Sequence, residues 1–316
     1  MKCIESAIGQ TYDKIELIIN DDGSSDDTIL IINEFIKKDN RIKFTKNSSN
    51  LGLVENWNKT LDLASGEYIK WLFQDDYLEK NAIEEFVNAA SNGYDFIISK
   101  RCFELPLSIS KMDQHYYEHQ VKKLENEFDL NEKNHYFSPK QIADLSTKYI
   151  ALNFIAEPSL IFFKKTLIEK VGNYDKLFHQ ICDLEYNLRL TSIAGVFVIN
   201  KSLCHFVIHS NSATNNNIND KYFQLRFIEQ AYYAYKIVNN LVFSSFRKHL
   251  SSKQKLILTI YYKYRLFEAN NFLKKNPNIS SLNEFNKNYP FLKTQVLDKI
   301  FFKPLFKMIN IIKPNK

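Results

Sequence analysis

Residues 66–78 read GEYIKWLFQDDYL, and the reading of this stretch decides the fold. Tyr68, Ile69, Trp71, Leu72 and Phe73 make a near-continuous apolar run, the pattern of a strand buried on both faces of a parallel sheet. It stops at two adjacent carboxylates, Asp75 and Asp76. In an open α/β sheet ligands collect at the carboxyl ends of strands, and a carboxylate pair there can hold a hard divalent cation that bridges phosphates. The plainer alternative is an Asp that caps the next helix beside a solvated turn residue.

Working outward toward the N-terminus, the residues before this stretch alternate. Residues 2–10 carry Cys3, Ile4, Ala7 and Ile8 at helical spacing, and read as part of a helix rather than a signal peptide. A strand follows over 15–20, then the polar run DDGSSDDT (21–28), then an apolar helical pattern over 29–36. Gly23 permits a tight turn there and Ser24 or Ser25 can cap the helix. A second strand over 41–45, a turn cluster NSSNLG (47–52) and a helix over 53–64 lead back to the opening stretch. This alternation predicts a mostly parallel α/β sheet flanked by helices, with Asp21-Asp22 and Asp75-Asp76 on one rim.

Composition narrows the class. The chain of 316 residues is 45% hydrophobic and 25% charged, enough to bury a sizeable core. Its formal net charge of +6 is mild and dispersed, which argues against a nucleic-acid binder. Cys3, Cys102, Cys182 and Cys204 lie far apart without metal-knuckle spacing, so a reducing, cytoplasmic compartment is expected. No run of about 18 apolar residues suggests a membrane span.

The combination of Q-T-Y (10–12), D-D-G-S-x-D-x-T (21–28), N-x-G (50–52), G-E-Y-I (66–69) and D-D (75–76) resembles the N-terminal half of family-2 glycosyltransferases of the GT-A fold. The likeness runs from Lys2 to about Cys102. It implies that Asp22, with Asp21 beside it, reads the nucleotide base, that Asp75 lies near the ribose and phosphates, and that Asp76 holds Mg2+ or Mn2+. The family often has a further Asp where this chain has Phe73. The resemblance also implies a strand ahead of residues 2–10 that this sequence lacks.

Farther along, 156–178 again resembles the family's acceptor half, and D-x-E-x-x-x-R-L (183–190) its base motif. Asp183 matches the catalytic base, although Cys182 replaces the neighbouring glutamate. On position alone Asp183 would be a helix N-terminal acid favoured by the macrodipole. Glu185 and Arg189 have the spacing of a structural ion pair. His209 matches a histidine near the metal or diphosphate, where Val207 replaces an arginine; a lone His is otherwise more often structural.

The segment 105–137 reads as a polar insertion, either a solvated loop or a lid. From residue 220 the pattern is helical, and 299–312 sets lysines every four residues among Phe, Leu and Ile. Such a stretch can lie on an anionic membrane surface or pack on its own domain. The expected organisation is therefore a glycosyltransferase domain over 1–215 and a helical C-terminal extension over 216–316.

The reaction implied is inverting transfer from a nucleotide-sugar, of the UDP class, to a glycan or lipid-linked acceptor in surface polysaccharide synthesis, at the inner face of the cell membrane. A non-catalytic nucleotide-sugar-binding relic and a nucleotidyltransferase are the alternatives.

Overall fold

In the computed structural model, residues 1–105, 115, 133–150, 152–209, 225–280 and 287–293 are described. The core of the 105–137 insertion and the 299–312 basic stretch lie outside them.

The first half alternates as its pattern predicts. Helix α1 (Lys2–Ile8) is followed by β1 (Leu17–Asp21), α2 (Thr28–Ile36), β2 (Ile42–Lys46), α3 (Leu53–Leu63) and β3 (Tyr68–Lys70). Next come β4 (Tyr77–Leu78), α4 (Ala82–Ser91), β5 (Phe96–Glu104), β6 (His135–Phe137) and α5 (Pro139–Lys148). The acceptor half adds β7 (Ile161–Lys164), α6 (Thr166–Val171), α7 (Cys182–Ala194) and β8 (Val196–Val207). Helices α8 (Arg226–Asn239), α9 (Ser244–Lys248) and α10 (Ser252–Lys275) then cover one end.

The sheet is not mostly parallel, which corrects the sequence expectation. β1 and β2 pair in parallel as a separate two-stranded sheet. The larger sheet has the order β3-β7-β5-β8-β4, with β6 also on β8. Among the described residues only β5 and β8 run parallel within it; β3–β7, β5–β7, β4–β8 and β6–β8 are antiparallel. The two acid pairs therefore follow strands of different sheets. The opening strand is also short: pairing covers Tyr68–Lys70, and Trp71 to Phe73 lie beyond it.

The physical reason is visible in β7. Phe162 stacks on Phe86 of α4 at 5.3 Å, while the next residue, Phe163, meets Tyr186 of α7 edge-on at 6.4 Å. Adjacent strand residues face opposite sides, so this strand is covered on both. An unbroken apolar run reports that double coverage and carries no information about strand direction.

Three devices hold the site end together. Gln10, 6% exposed, donates to the Glu79 carbonyl at 2.8 Å and accepts from the Ile83 amide at 2.9 Å, so the Q-T-Y segment pins the chain just after Asp76. Glu16 accepts from the Ser65 and Gly66 amides at 2.6 and 2.8 Å and pairs with Lys43 at 2.6 Å, joining the start of β1 to the turn before β3. Lys236 of α8, 4% exposed, bridges Asp175 at 2.6 Å and Glu185 of α7 at 2.7 Å. Glu185 also pairs with Arg189 at 2.7 Å, as their spacing predicts.

Candidate active site

At the end of β1 the chain turns through Gly23, whose φ of +95° suits glycine. Asp21 is buried and its carboxylate accepts from the Gly23 and Ser24 amides, each at 3.1 Å. Burial opposes its charge, but the Ser24 hydroxyl, these amides and Lys46 together hold its carboxyl below the usual range. Asp22 turns the other way. It accepts from Asn47 Nδ2 at 2.8 Å and from the Leu51 and Gly52 amides at 2.7 and 2.9 Å, stitching the 47–52 turn to the strand end. Three donors leave about one of a carboxylate's four lone-pair directions open. Among the described residues no hydrogen bond or ion pair joins Asp22 to Asp75, Asp76 or Asp183.

Beyond β3, Phe73 stacks on Trp57 of α3 at 5.0 Å, and Trp71 lies 5.9 Å from the same indole. The Asp76 amide closes a turn onto the Phe73 carbonyl at 3.0 Å. Its side chain is 2% exposed; Oδ1 accepts from the Val207 amide at 3.1 Å, and Oδ2 is buried with no hydrogen-bond partner. Burial raises its pKa, against the Ser159 hydroxyl, the Val207 amide and the Lys70 ammonium. Asp75 is solvent-facing, 3.1 Å from His209 Nε2. A buried, orphaned carboxylate oxygen beside a second acid is a donor set suited to a hard cation. Among the described residues no group of three or more His, Cys, Asp or Glu is placed to hold a metal ion, so a cation here would need other ligands besides these acids.

Asp183 is the second residue of α7 and partly buried. Asn153 Nδ2 donates to its Oδ2 at 2.8 Å and the Leu184 amide to its Oδ1 at 2.8 Å. Burial pushes its carboxyl up to about 6, the Leu184 and Asn153 bonds oppose this, and the negative charge of Glu157 adds to it. Glu157 is itself paired to Arg101 at 2.8 Å, and Arg101 also reaches the Asn153 carbonyl at 3.2 Å. A register shift between β5 and β8 at residues 99–101 precedes Arg101. Such irregularities re-aim side chains next to active sites.

The 157–159 turn carries residues that act on each of the two acids. Pro158 starts a short 3-10 turn over Pro158–Leu160. On one side of that turn Glu157 acts on Asp183; on the other, Ser159 accepts from the Phe73 amide at 3.2 Å and acts on Asp76. The Ser159 carbonyl also accepts from the buried Lys70 ammonium, whose pKa burial lowers. The sequence points to Ser159 only as part of the Glu157-Pro158-Ser159 likeness in the acceptor half, and not to Lys70, Arg101 or Asn153. The Lys100-Arg101 pair that follows the apolar start of β5 is the signal for Arg101. Asn153 left none.

Residues 1–152 match the family model described as glycosyl transferase family 2. Over 98% of its length the chain superimposes on Staphylococcus aureus TarS 1-349 in complex with UDP, at a TM-score of 0.55 and 14% identity, covering 74% of that chain. The same protein in complex with UDP-GlcNAc gives 0.56 at 13% identity, covering 86% of this chain and 76% of that one. The fold is that of a family-2 glycosyltransferase of the GT-A type. Among curated relatives of this glycosyltransferase fold, a GalNAc(5)-diNAcBac-PP-undecaprenol beta-1,3-glucosyltransferase of Campylobacter jejuni is 29% identical over 188 residues, 59% of this chain and 54% of that protein. The Escherichia coli UDP-Glc:alpha-D-GlcNAc-diphosphoundecaprenol beta-1,3-glucosyltransferase WfaP is 49% identical over 74 residues, 23% and 29% of the two chains. The chain thus spans about half the length, or less, of these relatives.

Proposed function

We propose that this protein transfers a sugar from a nucleotide-sugar of the UDP class to a hydroxyl of a glycan or lipid-linked acceptor, with inversion. The observation that carries this reading is Asp183. It is a carboxylate at a helix start, aimed by Asn153 and drawn up to about 6, and the 157–159 turn that acts on it through Glu157 acts on Asp76 through Ser159. At neutral pH such a group is largely ionised yet more basic than an ordinary aspartate, which suits proton abstraction. The acceptor oxygen attacks the anomeric carbon, Asp183 takes the hydroxyl proton, the bond to the diphosphate oxygen breaks, and the nucleoside diphosphate departs. Asp22 and the 47–52 turn wall the base side.

Asp76, through its orphaned Oδ2, with Asp75 and His209 beside it, would hold Mg2+ or Mn2+ together with diphosphate oxygens. The cation would supply Lewis-acid stabilisation of charge on the leaving group. The undecaprenol-linked substrates in the relatives' names support a lipid-linked acceptor. Together with the basic 299–312 pattern they support a place at the cytoplasmic membrane surface. Among the described residues no helix is long and apolar enough to cross a membrane.

The test is UDP release from a panel of UDP-sugars with Mn2+, comparing the chain with its Asp76→Ala and Asp183→Asn variants. Turnover lost in both, with UDP binding retained in Asp183→Asn, supports the reading. UDP binding by the parent chain without release of UDP from any sugar makes it a binding relic instead.

A further inference from the structure

Helix α7, which carries Asp183, has no side-chain cap from its own N-cap residue, Ile181. Asp183 spends one oxygen on the adjacent Leu184 amide. The amides just before the helix are satisfied from elsewhere in the chain. Glu229 of α8, 1% exposed, accepts from the His179 amide on Oε1 at 3.1 Å and from the Gln180 amide on Oε2 at 3.0 Å. A buried carboxylate thus grips consecutive backbone donors at the positive end of the helix, where a negative charge is favoured. Burial draws its carboxyl up to about 7 against the Gln180, His179 and Ile181 amides.

The segment 175–181 that leads to Asp183 is anchored largely by α8. Lys236 and the Tyr232 hydroxyl both bind Asp175 Oδ2, at 2.6 and 2.9 Å, and Phe178 stacks on Tyr232 at 5.0 Å. Glu229 is the contact of this set nearest in sequence to the acid itself. We propose that Glu229 is a positioning residue for the reaction: its two-oxygen clamp fixes where α7 begins and hence where the Asp183 carboxylate points. This inference rests on Asp183 being the base.

Glu229→Gln keeps the shape and one acceptor oxygen but replaces the other with an amide that cannot accept. With the UDP-sugar giving the fastest UDP release in the panel above, kcat falls about 10–100-fold, the range expected when a reacting group shifts by an ångström or so. KM for the donor and the affinity for UDP stay within about twofold, and the residual single-turnover rate of Asp183→Asn at high enzyme concentration falls less than about twofold on the same change, because its effect passes through Asp183. Three outcomes overturn the proposal: parental kcat in Glu229→Gln, an equal loss in the Asp183→Asn background, or UDP affinity lost together with the rate, which marks a merely structural role. Full turnover by Asp183→Asn alone is a separate outcome; it removes the base assignment, and this inference with it.

Discussion

Asp183 ties chemistry to stability through one proton. Its carboxyl is drawn from an ordinary 3.8 up to about 6, chiefly by burial. A base must be ionised to act, so kcat is expected to rise with pH and level off above about 6; a rate independent of pH between 5 and 7 would contradict the assignment. The stability sign is opposite. A folded-state pKa above the unfolded value means that ionising the group costs folding free energy, so stability falls as pH rises from about 4 to 6. Asp183→Asn removes that cost. The variant should unfold later than the parent at pH 7–8, by at most about 3 kcal/mol given 1.4 kcal/mol per unit, and match it below pH 4. Urea titrations at both pH values check this. At this scale the residue types were legible in the sequence, because acids at strand and helix ends announce themselves. Their partners were not: Asn153 and Ser159 are polar residues in irregular segments, and only folding aims them at Asp183 and Asp76.

Among the elements, two of the charged contacts that join them differ in kind. Lys236 is buried between Asp175 and Glu185, side chains 19% and 0% exposed. Truncating a partner of a buried ion pair leaves uncompensated charge, typically costing 3–5 kcal/mol. Lys236→Met is therefore expected to lose about that much in urea unfolding; a loss under about 1 kcal/mol would show that the cluster does not hold α8 to α7. Glu16 instead faces the largely exposed Lys43 (58%) as well as the 65–66 amides. Burial opposes its charge, but Lys43, Ser65 and Gly66 outweigh it and pull the carboxyl from 4.5 down to about 2. A depressed pKa contributes stability that is complete above about 4.5 and is lost as pH falls toward 2. With Lys43 screened by solvent the contribution is about 1–2 kcal/mol. Glu16→Gln should cost that amount at pH 7 and only about a quarter of it at pH 2.5, which paired thermal melts would reveal.

Across the whole molecule, the sheet and the helical extension share one core. Phe96, Phe163 and Tyr186 of the sheet half form a single buried cluster with Tyr233, Ile237, Phe246, Leu258 and Tyr261 of the extension. A chain ended after residue 215 would expose the apolar faces of α7 and its neighbours and leave Asp175 and Glu185 without Lys236. It is expected to lose cooperative unfolding and UDP binding, whereas the intact chain melts in one transition. A cooperative melt from the shortened chain would show that 1–215 is self-sufficient.

By itself the sequence determined the order of elements in the first half, the acids that end them, the ion pair within α7 and the helical character of residues 226–275. All of these are local: apolar period, turn residues and spacing along one helix are properties of neighbours in the chain. Strand direction in the larger sheet, the separation of β1–β2 from it, the turn whose Glu157 acts on Asp183 and whose Ser159 acts on Asp76, and the reach of Glu229 back to the start of α7 were decided only by tertiary structure. Each depends on pairing between residues far apart in the chain, and an apolar strand buried on both faces has the same composition whichever way its neighbours run.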